Sequence, residues 1–75
     1  MKITVRYFGY LADHAGGREK TIEAREGSKI KDVIVLPPDL DIEEVVILKN
    51  GKPASPDDEL NDGDTVSVLP HISGG

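Results

Sequence analysis

The chain has 75 residues, a formal net charge of −5 and no cysteine. A domain of this size buries only about two thirds of the surface its unfolded chain exposes, so an internal substrate pocket is not expected. The missing cysteines exclude a disulfide frame, a thiolate zinc site and thiol nucleophiles. The acidic balance argues against nucleic acid as a partner, because phosphate recognition draws on clustered Lys and Arg, and it favours a basic partner surface.

Lys2 to Phe8 alternates Ile3, Val5 and Tyr7 with Thr4, Arg6 and Phe8, the period of a strand with one strongly apolar face. Met1-Lys2 leads directly into it, and no apolar run approaches the roughly 20 residues of a spanning helix. No membrane segment is expected, and the expected location is the cytoplasm. Leu11 to Ala15 has room for a turn of helix before Gly16-Gly17 break the pattern. Glu19 to Ala24 resumes as a short strand, which suggests an opening hairpin. Ser28 is the expected N-cap of a helix of about two turns, with Ile30, Val33 and Ile34 at helical spacing and Pro37-Pro38 as its stop. A strand through Val33-Ile34-Val35-Leu36 competes with it, because β-branched residues cost helix propensity, and local sequence does not choose between them.

Glu44 to Lys49 carries the continuous run Val45-Val46-Ile47-Leu48, which suits a strand buried on both faces. Asn50-Gly51 then predicts a type I′ hairpin, since that turn needs positive φ at both central residues. Pro53 and Pro56 cannot donate ladder hydrogen bonds and keep the return strand short. Asp57 to Asp64 is acidic and turn-rich, and Thr65 to Leu69 alternates around Val66 and Val68 until Pro70, the expected strand end.

The predicted order is strand, strand, helix, strand, short strand, strand. A helix between two hairpin-like halves supplies the long crossover that lets the first and last strands lie parallel at the sheet centre. This predicts an α+β domain, the ubiquitin-like β-grasp, with a mixed sheet of about five strands and one short helix across one face. The expected division is a domain over 1–69 and a flexible tail over 70–75.

Resident chemistry is sparse. No Gly-rich phosphate loop, metal-ligand spacing or nucleophile–base pair stands out, so no metal is expected and no independent active site. His14 and His71 stand alone and read as ordinary, partly exposed side chains. Asp57, Asp58, Glu59, Asp62 and Asp64 match no calcium-loop pattern and read as a solvated acidic loop. The tail from Pro70 to Gly75 reaches roughly 20 Å when extended, enough to cross a partner's surface. Gly74 and Gly75 carry no Cβ and fit a narrow channel, Ser73 is small, and Ile72 is suited to an apolar pocket at the entrance. The competing reading of that segment is a frayed terminus.

Phe8 near the end of the first strand, the block Lys49-Asn50-Gly51-Lys52-Pro53, the run from Leu60 to Val66, and the ending Leu69-Pro70-His71-Ile72-Ser73-Gly74-Gly75 together resemble the sulfur-carrier family. The similarity is strongest to the small subunit of molybdopterin synthase, with the thiamine-pathway sulfur carrier as a cousin. It spans nearly the whole chain and is most specific from Lys49 to Gly75. It weakens between Arg25 and Glu44, where the helix is shorter than usual, and His71 stands where the molybdopterin branch usually has a second proline.

The resemblance implies that Gly75 is the attachment residue, that Pro70, His71, Ile72, Ser73 and Gly74 form the partner-binding stem, and that the Asp62-Gly63-Asp64 turn positions the final strand. It implies an E1-like adenylating partner that uses ATP and Mg, a sulfur donor, and the large synthase subunit as the partner in which the tail gives sulfur to a pterin precursor, with no cofactor bound by the chain itself. A carboxylate with a pKa near 3.5 resists nucleophilic attack until it is activated, which is the purpose of the adenylate. The same tail also suits a ubiquitin-like modifier joined through Gly75 to target lysines. A non-covalent β-grasp interaction module is the third reading.

Overall fold

The computed structural model describes residues 1–71. Its strands are β1 (Lys2–Tyr7), β2 (Glu19–Glu23), β3 (Val45–Lys49), β4 (Lys52–Pro53) and β5 (Thr65–Pro70). They form a five-stranded sheet in the order β2-β1-β5-β3-β4. β1 and β5 pair in parallel from Thr4 opposite Thr65 to Tyr7 opposite Val68, and all other pairings are antiparallel. This is the mixed β-grasp sheet expected from the sequence, with the last strand at its centre.

The period of two decides which side chains meet. Ile3, Val5 and Tyr7 of β1, Val66 and Val68 of β5, and Val45 and Ile47 of β3 are buried on one face of the sheet. Leu11, Ile30, Val33 and Leu60 close over that face in a single cluster. Burial of a Val, Leu or Ile side chain contributes about 1.5–3 kcal/mol, so this one layer supplies most of what a small domain can gather.

Asn50 and Gly51 adopt φ of 52° and 82°, the two left-handed residues of the predicted type I′ turn. The two-residue β4 follows, as Pro53 requires.

Four expectations need correction. Two short helices are present rather than one: α1 (Tyr10–Ala15) lies between β1 and β2, closed by Gly16 in the left-handed conformation, and α2 (Ile30–Val33) lies before β3. α2 is a single turn, not two. Its N-cap is Lys29 rather than Ser28, with the Asp32 carboxylate accepting the Lys29 N–H at 2.8 Å. By Ile34 the backbone is extended. The β-branched run Val33-Ile34-Val35 ends the helix before the prolines are reached, and the Val35 N–H is instead held by the Tyr7 hydroxyl at 2.9 Å.

The third correction concerns β3, which is buried on one face only: Val45 and Ile47 face the core, while Val46 is 39% exposed. An apolar run cannot by itself reveal that nothing covers its second face. Fourth, Pro70 belongs to β5, in register with Val45, instead of ending the strand before it. The fixed φ of proline is compatible with extended backbone, and the last strand position tolerates a missing N–H.

Candidate functional site

The central strand β5 connects two dissimilar places. At its start, the loop Asn61 to Asp64 is held by polar groups. Lys2 brackets the loop, donating its N–H to Asp62 Oδ1 at 2.7 Å and accepting the Gly63 N–H at 2.8 Å. The Asp64 carboxylate, only 9% exposed, accepts from the Asn61 N–H at 2.8 Å through one oxygen and from the Asn50 side-chain amide at 2.9 Å through the other. Asn50 Oδ1 in turn accepts the Thr65 N–H at 3.0 Å.

Asp64 is therefore a bonded, buried group and not part of a solvated acidic loop. Desolvation pushes its carboxyl upward, but the Asn61 and Asn50 hydrogen bonds and the nearby Lys49 charge outweigh burial and hold it below the ordinary carboxylate value. The expected positioning of the last strand by the Asp62-Gly63-Asp64 turn has this physical form. Asp58 accepts the Ser55 N–H, and Asp57 pairs with Lys31 at 2.9 Å. Among the described residues no cluster of His, Cys, Asp and Glu could hold a metal ion.

At its other end, β5 emerges beside an apolar surface on the uncovered side of the sheet. Val46 lies opposite Leu69, and Leu48 lies opposite Ser67 on one side and Pro53 on the other. Phe8, 39% exposed, donates its N–H to the Val68 carbonyl at 3.0 Å, which places it abreast of Leu69. The Arg6 guanidinium lies 5.8 Å from the Phe8 ring centroid. These residues alternate with the core positions, so the sheet presents Phe8, Leu69, Val46 and Leu48 away from the helices.

The exit itself is shaped by Gly9. Its φ of 60° favours glycine, and a Cβ there would come within 3.2 Å of Pro70 Cγ. The β1–α1 turn therefore packs directly against the last residue of β5.

Of the residues predicted for the site, Pro70 is half-buried at this exit and His71 is exposed just beyond it. Ile72, Ser73, Gly74 and Gly75 lie outside the described residues. His14 is exposed on α1, remote in sequence from His71. Sequence reasoning missed the roles of Gly9, Val46, Leu48 and Leu69. The available signal was the mismatch between a single helical layer and a β3 run apolar at both parities.

A mixed five-stranded sheet in this order, with its helices on one face and the chain leaving from the central strand, defines a ubiquitin-like β-grasp protein. Residues 5–75 match the model of the ThiS family, and the chain belongs to that sulfur-carrier family. It is 35% identical to the molybdopterin synthase sulfur carrier subunit of Chlamydomonas reinhardtii over 83 residues, covering all of both chains. A Pyrococcus furiosus structure assigned as molybdopterin converting factor, subunit 1, is similar with a TM-score of 0.74 and 32% identity over 96% of this chain and 99% of that one. The Helicobacter pylori complex of subunits 1 and 2 of molybdopterin-converting factor aligns with a TM-score of 0.59 at 22% identity over all of both chains, a likeness of fold.

Proposed function

We propose that this chain is the sulfur-carrying small subunit of a molybdopterin synthase-like system, acting through Gly75. The observation that carries the reading is the site's division of labour in a ThiS-family chain. The central strand ends at Pro70 beside a partly exposed apolar face, and the sequence beyond it includes Gly74-Gly75.

In this reading the Gly75 carboxylate attacks the α-phosphate of Mg-ATP in an E1-like enzyme, releasing pyrophosphate and leaving a glycyl adenylate. The terminal sulfur of a persulfide displaces AMP. A thiol then attacks the donor-side sulfur, closing a disulfide on the donor and releasing the glycyl thiocarboxylate. The tail next enters the large subunit, gives its sulfur to a pterin precursor and returns as a carboxylate. The chain supplies the carboxyl group and the docking surface, and partners supply the acid–base groups.

The apolar face explains how a short tail is brought to a partner's active site. Docking Phe8, Val46, Leu48 and Leu69 converts entry of the tail into an intramolecular event with a high effective concentration. The acidic balance of the chain adds steering towards a basic rim. The same surface serves the activating enzyme and the large subunit in turn.

The test is intact mass spectrometry after incubation with the cognate activating enzyme, Mg-ATP and a persulfide source. The expected product has one oxygen replaced by sulfur, mapped to Gly75. An unchanged carboxylate under conditions that load a related carrier overturns the reading. Gly-Gly remnants on target lysines without any thiocarboxylate transfer to the pterin precursor would assign the chain as a modifier instead.

A further inference from the structure

The Asn50-Gly51 turn carries chemistry that sulfur transfer does not use. Asn followed by Gly is the dipeptide least hindered for attack by the next backbone nitrogen on the side-chain carbonyl, because Gly51 has no Cβ to obstruct it. In an unfolded chain this is a labile bond. In the fold, both ends of the Asn50 carboxamide are occupied. Oδ1 accepts the Thr65 N–H at 3.0 Å, and the amide donates to Asp64 Oδ1 at 2.9 Å. The Asn50 backbone N–H also donates to the Thr65 carbonyl at 2.8 Å. Ring closure at Asn50 Cγ expels the side-chain nitrogen that donates to Asp64, so that bond cannot survive the reaction, and the bond to Thr65 restrains the carboxamide beside it.

We propose that Asn50 is a latent site of covalent self-modification, restrained by Asp64 and Thr65, whose deamidation converts the clasp at the start of β5 into a repelling carboxylate pair. The Gly51 nitrogen bonds to Asn50 Cγ and gives up its proton as the side-chain nitrogen departs as ammonia, leaving a five-membered succinimide. Water then opens the ring at either carbonyl, giving an aspartate in place of Asn50 or the isoaspartate linked through its side chain. The net change is loss of ammonia and gain of water, with no redox step. The new carboxylate has no proton to donate to Asp64 and faces it in a partly buried position, where like charges are costly. The isomeric product also lengthens the backbone within a two-residue hairpin. Either product loosens the start of β5 and lowers the stability of the fold.

Two measurements test this independently of the sulfur-transfer reading. The first compares ammonia loss at Asn50 by peptide mass spectrometry in the folded protein and in urea at the same pH and temperature. Release of the two hydrogen bonds, one to a charged acceptor, is expected to speed the reaction at least about tenfold. Asn61, which precedes Asp62 rather than glycine, serves as the slow internal reference. Equal rates at Asn50 in the two states overturn the restraint.

The second measurement compares the stability of Asn50→Asp with that of the exchanged pair Asn50→Asp/Asp64→Asn. The single variant should unfold at lower urea than the wild type at neutral pH, and the difference should shrink as acidification lets the pair share a proton. The exchanged pair keeps acceptors for the Thr65 and Asn61 N–H groups and reverses donor and acceptor only between positions 50 and 64, and should recover the loss. A single variant as stable as the wild type, or an exchanged pair no better than the single, overturns the proposed consequence.

Discussion

The two ends of β5 spend their side chains in opposite ways. At the Thr65 end, the polar groups of Asn50, Asn61 and Asp64 are satisfied within the fold, and the loop is locked to β1 and to the β3–β4 turn. At the Pro70 end, Phe8 and Val46 are exposed and Leu48 and Leu69 are half-buried, although a small domain has few large apolar side chains to spare. Scattered exposed apolar residues are ordinary on any protein. A group on β3, β5 and the residue that follows β1 fits the proposed docking surface better. One end of the strand is fixed by polar bonds, and the other borders apolar surface.

Deleting Gly74 and Gly75 separates presentation from folding most sharply. Sulfur loading should be abolished in the mass assay. The urea midpoint should change by no more than about 0.5 kcal/mol equivalent, as for surface changes that touch no core group. A destabilised deletion would show that the terminal glycines belong to the fold and would break the comparison.

Asp64→Ala tests the opposite end. It leaves the Asn61 N–H and the Asn50 amide without their acceptor and should cost about 1–3 kcal/mol by urea denaturation. The protein that remains folded should load sulfur normally. The pH dependence has a definite sign. The folded Asp64 carboxyl lies below its ordinary value, so its stabilising contribution is complete above the unfolded-chain pKa of about 3.9. That contribution is lost as pH falls through the lower folded value. Asp64→Ala should therefore lie furthest below the wild type near neutrality and approach it in acid. A gap that widens on acidification would contradict the assignment.

Paired substitutions on the open face, Val46→Ser with Leu69→Ser, should leave the core intact and weaken capture by the activating enzyme at least about tenfold, the loss of roughly one hot-spot contact. Calorimetric titration reads this directly. Unchanged affinity together with lost stability would place these residues in the fold's interior economy and remove the distinction between the two ends.

Much of this was legible before any coordinates. Alternation in β1 and β5, the Asn50-Gly51 turn and the crossover between hairpins define the sheet, because each is a local signal with a topological consequence. The helices were harder to read. Leu11 to Ala15 is too short for a clear period, and Val33-Ile34-Val35 satisfies helix and strand spacing equally until tertiary contacts choose, here through the Tyr7 hydroxyl. The apolar face beside the end of β5 was not legible. That face depends on what fails to cover Val46, and no property of Val46 itself records that. The burial of Asp64 was hidden for a similar reason. An aspartate among acidic neighbours looks solvated until Asn50, 14 positions earlier, is brought against it.

The smallest predicted effect concerns a pair that belongs to neither end. Lys31 Nζ lies 2.9 Å from Asp57 Oδ1, and both side chains are well exposed. The hydrogen bond between them, followed by their charge attraction, raises the Lys31 pKa and lowers that of Asp57. In solvent this attraction is screened and offset by the entropy of holding two mobile side chains together. Lys31→Ala should therefore shift the urea midpoint less than Asp64→Ala, and the shift should fade in high salt, while the Asp64→Ala deficit persists because its hydrogen bonds are partly buried. If added salt erased both deficits alike, the clasp would be an exposed electrostatic contact and the secured end of β5 would lose its special standing.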